Sequence, residues 1–291
     1  MADKPRLLGR RHVAIAERCL FRRRRRARIG RVGRLACHGP PQPRGIAMML
    51  KDRVLLITNV DKFAGHGTTR VALAEGATVL AHDPGFEAPS ARRKYEAAFP
   101  GAHALSAVEP ATLVELALKR HGHIDALVNN DAYPALRAPL GEARLEDYRA
   151  ALEAMAVAPF RLAQLVAPSM RKRKSGRIVF VSSAAPLRGI ANYAPYVSAR
   201  AAANGLVSSL AKELGRDGIT VNAVGSNYVE NPDYFPPALL ANREAMAKMT
   251  AQIPLGRLGK PEELGAAVCF LCSDAAGFIT GHVLPHAGGW A

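Results

Sequence analysis

From residue 53 onward, short aliphatic runs alternate with longer stretches in which apolar residues recur every three or four positions. The runs at 54–58, 78–82, 124–129, 177–182 and 219–224 are too short for helices and apolar on both faces. That pattern predicts strands buried in a parallel sheet, with a last strand at 282–285. Between them the periodicity predicts helices over 69–75 (ending at Gly76), 109–121, 194–215 and 261–272. Residues 145–170 read as one long helix or two abutting ones, with Pro159 at the break. Residues 226–237 hold three prolines and no apolar period, and read as a loop. Repeated units of this length predict an α/β protein: a single Rossmann-like, doubly wound parallel sheet with helices on both faces. No internal repeat or second core is visible. The expected organisation is a basic extension over 1–50 and one catalytic domain over 51–291.

Composition adds two constraints. No unbroken apolar run approaches the roughly 18 residues of a membrane span, so a soluble protein without a membrane partner is expected. The formal charge of +16 is unevenly placed: residues 1–50 hold 14 lysines and arginines against two acids, and the remaining 241 hold 26 against 22. The excess thus belongs to the extension. The run Arg22 to Arg26 reads either as a nucleic-acid or targeting patch or as a silent extension, disordered or not native, with Met48 or Met49 the true start. Composition favours the second reading. The absence of serine from residues 1–50 argues against a mitochondrial presequence, and the lack of an apolar segment between the charges argues against a secretory signal. Of the four cysteines, Cys19 and Cys37 lie in the extension. Cys269 and Cys272 form a C-x-x-C inside a predicted buried helix with no second ligand pair. Core packing, no metal, and a reducing cytoplasm are expected.

Chemistry-bearing residues follow the 177–182 strand. Ser183 comes directly after it, Tyr196 lies thirteen residues on, and Arg200 four beyond that. Positions four apart share a helix face, so Tyr196 and Arg200 can meet. A close cation lowers a tyrosine's pKa by roughly 1–3 units from about 10, which would make Tyr196 a base near neutrality. Tyr193 is the competing tyrosine, but its partner four residues on is Val197. Ser182 is the competing serine, and its side chain should point to the other face of the strand.

Residues 54–290 resemble the short-chain dehydrogenase/reductase superfamily, which uses Ser, Tyr and Lys in this layout; here Arg200 stands for the lysine. Met155 stands where many of those reductases place an asparagine of a proton relay. The superfamily's first turn reads T-G-x-x-x-G-x-G. Laid on it, Asn59 and Phe63 replace the first two glycines and only Gly65 remains. Those glycines let the backbone approach a pyrophosphate, so no nucleotide cofactor is expected. Asp83, ending the second strand, is where an acid would hold an adenosine ribose, and is equally an ordinary turn residue. The set S-x12-Y-x3-R, with T-x4-F-x-G at Thr58, Phe63 and Gly65, resembles the halohydrin dehalogenases. That resemblance implies conversion of vicinal halohydrins to epoxides with release of halide, the reverse opening of epoxides by small anions, and a homotetramer. It implies a halide site at Phe63 and the loop Asn227, Tyr228, Val229, whose successive amides would form an anion nest. Asp131 stands open between a strand-end cap and an acid that orients Arg200. Two rival readings are an oxidoreductase with a degraded nucleotide turn and a catalytically silent fold with a nucleic-acid-binding tail.

Overall fold

The computed structural model describes residues 48–291 apart from 107, 108 and 233. The basic run, Cys19 and Cys37 lie outside the described residues. The described chain builds one parallel sheet from β1 (Val54–Ile57), β2 (Thr78–His82), β3 (Ala102–Leu105), β4 (Ala126–Asn129), β5 (Gly176–Ser183), β6 (Ile219–Ser226) and β7 (Val283–His286). The spatial order is β3-β2-β1-β4-β5-β6-β7. The helices are α1 (Gly65–Ala74), α2 (Pro89–Ala98), α3 (Pro110–His121), α4 (Leu145–Leu152), α5 (Ala158–Arg173), α6 (Ala185–Arg188), α7 (Ala194–Leu214), α8 (Pro237–Ala241), α9 (Arg243–Thr250) and α10 (Pro261–Cys272).

Strand residues alternate between two cores because successive side chains leave opposite faces. Leu55, Ile57 and Val79 join Val268 and Leu271 of α10 on one side. Leu56, Leu80 and Ile178 join Leu162, Val166 and Val207 of α5 and α7 on the other. On the first side α1 and α10 cross at backbone contact: a Cβ on Gly67 would lie 2.3 Å from the Pro261 carbonyl oxygen, and one on Gly265 2.6 Å from that of Gly67. Cys269 and Cys272 are fully buried in this core, and burial pushes the Cys272 thiol up to about 12. Their expected packing role is what the structure shows.

The structure adds to these readings in three places. Residues 145–170 form two abutting helices: a π-helical turn, Glu153–Val157, joins α4 to α5, and Pro159 is the second residue of α5, directly after that turn. The whole run Leu145–Arg173 is long and apolar enough to cross a membrane by length and composition, with mean hydropathy 1.3 over its window; Leu162, Val166 and Met170 along it pack into the core. The segments 89–98, 102–105, 237–241 and 243–250, left unassigned by pattern, are α2, β3, α8 and α9.

The strand order reverses between β1 and β4, and ligands of such sheets bind at the carboxyl ends of strands there. The turn after β1, the residues after β4, the end of β5 and the loop after β6 all reach that edge.

Candidate active site

Ser183 is the last residue of β5, paired in register with Ser226 at the end of β6. Its Oγ accepts the Ala185 amide at 3.0 Å, which leaves the hydroxyl proton free to donate. Ser182 turns away, as strand alternation requires, and its Oγ meets Asn204 Oδ1 at 2.7 Å. Tyr196 and Arg200 lie on the first turns of α7, one above the other. The Arg200 guanidinium carbon stands 5.5 Å from the centroid of the Tyr196 ring, over its face. Arg200 is buried, and its Nη1 donates to the carbonyls of Asp131 and Val181, each at 3.0 Å. The cation beside the base candidate is thus fixed by the backbone at the ends of β4 and β5.

Asp131 does hold Arg200, but through its main-chain carbonyl. Its carboxylate turns to the first turn, where Oδ1 accepts Asn59 Nδ2 at 2.5 Å. Oδ2 of Asp131 and Nε of Arg200 are buried without partners among the described residues. Burial pushes the Asp131 carboxyl up to about 7, against the opposing pull of Arg200 and the Asn59 hydrogen bond.

Ser183, Tyr196 and Arg200 open into a cavity of about 310 Å3 that also takes in Phe63, Tyr193, Tyr228, Val229 and Tyr234. Tyr193, the competing tyrosine, therefore shares the wall with Tyr196, though the guanidinium lies over the Tyr196 ring. Tyr234, Phe235 and Met249 also line the cavity; their only sequence signal was an aromatic pair between prolines. A second cavity, of about 350 Å3, lies across the 227–228 loop. It contains none of Ser183, Tyr196 or Arg200.

The first turn keeps the backbone of a glycine turn without its glycines. Asn59 and Phe63 both adopt left-handed conformations, with φ of 49° and 39°. Asn130 clamps the turn: its Nδ2 donates to the carbonyls of Asn59 and Lys62, each at 2.9 Å, and its Oδ1 accepts the Ala64 amide at 3.3 Å. Gly65 is obligatory, since a Cβ there would lie 2.1 Å from the Val60 carbonyl oxygen. The Phe63 ring meets Tyr234 edge to face at 5.9 Å and walls the cavity. Asp83 is a turn residue: its carboxylate accepts the amides of Gly85 and Asp61 at 2.9 and 3.2 Å. With Phe63 in the cleft, a side chain on Asn59 and Asp83 engaged locally, these residues do not fit a dinucleotide.

The loop after β6 is less nest-like than its sequence suggests. The Asn227 amide donates to the His286 carbonyl at 3.1 Å, and the Tyr228 amide to the Asn227 side chain at 3.0 Å. Tyr228 is left-handed, with φ of 54°, and its ring packs against Trp290 at 5.8 Å. Of these three amides, that of Val229 alone carries no hydrogen bond among the described residues. The cavity edge at Phe63 and Val229 thus offers one free N–H and an aromatic ring.

Residues 64–291 match the family model described as enoyl-(acyl carrier protein) reductase, from the first residue past Phe63. The 3-oxoacyl-acyl-carrier-protein reductase FabG of Thermotoga maritima is 34% identical over 253 residues, covering 83% of this chain and 99% of its own. A solved structure described as a dehalogenation enzyme is 89% identical, with a TM-score of 0.82 over 84% of this chain and all of its own. A halohydrin dehalogenase, HheC, solved with ethyl (2S)-oxiran-2-ylacetate bound, is 37% identical, with a TM-score of 0.78 over 81% of this chain and 96% of its own.

Proposed function

The chain belongs to the short-chain dehydrogenase/reductase superfamily, and from that premise we propose that it is a halohydrin dehalogenase, closing vicinal halohydrins to epoxides with release of halide. The observation that carries this reading is the meeting of Ser183, Tyr196 and Arg200 in one cavity whose nucleotide side is closed by Phe63. The 89% identity to a solved dehalogenation enzyme supports it from outside the site.

A vicinal halohydrin brings its own nucleophile and leaving group, so the protein needs to supply a base and a place for the anion. Ser183 donates its free hydroxyl proton to the substrate oxygen and orients it. Tyr196, as phenolate, takes the hydroxyl proton. The alkoxide attacks the neighbouring carbon; the new C–O bond closes the ring as the C–X bond breaks and halide leaves with the electron pair. Arg200, over the Tyr196 ring, stabilises the phenolate. The leaving halide settles against the Val229 amide and the positive edge of Phe63. By microscopic reversibility small anions open epoxides at the same place. The nucleotide-dependent reading is not favoured, because Asn59 and Phe63 stand in place of the first two glycines of the turn and Phe63 walls the cavity.

The exposed apolar residues Val157 and Phe160, on the π turn and the start of α5, support assembly with further copies of the chain. Halide release from a simple chloro- or bromoalcohol, without added nucleotide, tests the activity. Release that depends on NAD or NADP, or no release with a folded protein, overturns it.

A further inference from the structure

Losing its glycines gave the first turn a second contact besides closing the nucleotide cleft. We propose that Asn59 is a positioning residue for the base: its side-chain amide fixes the Asp131 carboxylate behind Arg200 and so sets the field that Arg200 presents to Tyr196. The inference rests on the dehalogenase reading for its kinetic consequences, while its first link stands on geometry alone.

Asn59 Nδ2 gives Asp131 Oδ1 its 2.5 Å hydrogen bond, and Oδ2 has no partner among the described residues. The amide, together with Asp131's own backbone N–H, is therefore what holds this buried carboxylate in place. The cation facing that carboxylate is Arg200 of α7, which donates to the carbonyl of the same Asp131. From the other elements around Asp131 and Arg200, the π turn, α5 and β5 present Met155, Pro159, Phe180 and Val181, none of them titratable. Arg200 lies in turn over the Tyr196 ring. The chain Asn59, Asp131, Arg200, Tyr196 thus links the first turn to the reacting proton. Asparagine suits both demands at position 59: it tolerates the left-handed backbone better than most residues, and it carries a donor.

Burial holds the Asp131 carboxyl near neutrality, so its charge state is open to small influences. The hydrogen bond from Asn59 favours the ionised form. An ionised Asp131 compensates the charge of Arg200. Without Asn59 the carboxyl stays protonated to higher pH, Arg200 acts uncompensated on Tyr196, and the phenolate becomes easier to form but a weaker base.

Asn59→Gly separates this role from folding. Glycine suits a φ of 49° better than asparagine does, and the carbonyl that Asn130 clamps is retained. In the full-length protein, a carboxyl carbon-13 titration should show the Asp131 midpoint rising in Asn59→Gly. The rising limb of kcat/KM for halide release should move to lower pH by about one unit, with plateau kcat reduced severalfold and KM nearly unchanged. Asp131→Asn should show the same displaced limb, and adding Asn59→Gly to it should change nothing further. An unmoved carboxyl midpoint overturns the proposal, as does a limb that Asn59→Gly shifts equally in the Asp131→Asn background. If wild type releases no halide while the midpoint shifts as expected, the dehalogenase reading falls and the Asn59–Asp131 link stands.

Discussion

Arg200 is the residue through which most of the site communicates, and its anchoring sets what a substitution there would do. A planar guanidinium reaches the carbonyls of Asp131 and Val181 while its face stays over the Tyr196 ring. Lysine restores the superfamily's usual residue and keeps the charge, and an ammonium placed where Nη1 stands could donate to both carbonyls, but it leaves no guanidinium over the Tyr196 ring. Arg200→Lys is expected to lower halide release at least about tenfold, roughly 1.4 kcal/mol at the transition state, and to move the rising limb of the pH–rate profile to higher pH. It is not expected to create reductase activity, because Phe63 still walls the cleft. An unchanged profile with full release would remove Arg200 from the mechanism. Tyr196→Phe is the companion test. It keeps the ring under the guanidinium and removes the phenol, so activity should vanish while circular dichroism and the melting temperature persist. Tyr193→Phe, altering the other phenol on the same wall, should keep most activity; equal losses at both would mean that the base was assigned to the wrong tyrosine or that neither is the base.

At the scale of elements, the π turn between α4 and α5 does the most to shape the surroundings of the base. The extra residue in that turn carries Met155 inward, where it is fully buried with Ala151 and Ala199 and packs beside Tyr133 and Tyr196. An apolar side chain here keeps the back of the tyrosine dry. Met155→Asn, the residue many reductases carry, should destabilise the protein by about 1–3 kcal/mol through a buried, poorly paired amide. Met155→Leu should cost less than about 1.5 kcal/mol. Urea unfolding of both variants checks this, and equal stability of Asn and Met would show that the pocket behind Tyr196 is wet. The position of Met155 was legible in the sequence, but the π turn was not, since a single inserted residue hardly disturbs a 3.6-residue period. The central strands were legible because burial on both faces demands unbroken aliphatic runs. β3 was not: it is an edge strand reading AHAL, without a β-branched residue. α2 was missed because Tyr95 is its single buried side chain. In the site, spacing was enough to pair Tyr196 with Arg200 and to separate Ser183 from Ser182. The contact of Asn59 with Asp131 spans 72 residues and depends on a left-handed turn, so no local pattern announces it.

On the scale of the whole molecule, charge is unevenly shared along the chain. Residues 1–50 carry most of the excess positive charge, whereas the first core contact among the described residues comes from Leu50, which is fully buried against the sheet's first face. Met49 adds a surface tie, its amide donating to Glu75 Oε2 at 2.8 Å. From there on, the described residues supply every strand of the sheet, both cores and all the groups assigned to the reaction. Removing residues 1–47 should therefore leave the sheet, the cavity and the Ser183, Tyr196 and Arg200 set intact, and lower the net charge from +16 to about +4. The truncated protein is expected to show the same circular dichroism, a melting temperature within a few degrees of the full chain, and the same kcat for halide release. Its binding to a heparin column should weaken sharply, because the basic excess has gone. Loss of solubility or of activity on truncation would assign residues 1–47 a structural part that the core beginning at Leu50 does not call for.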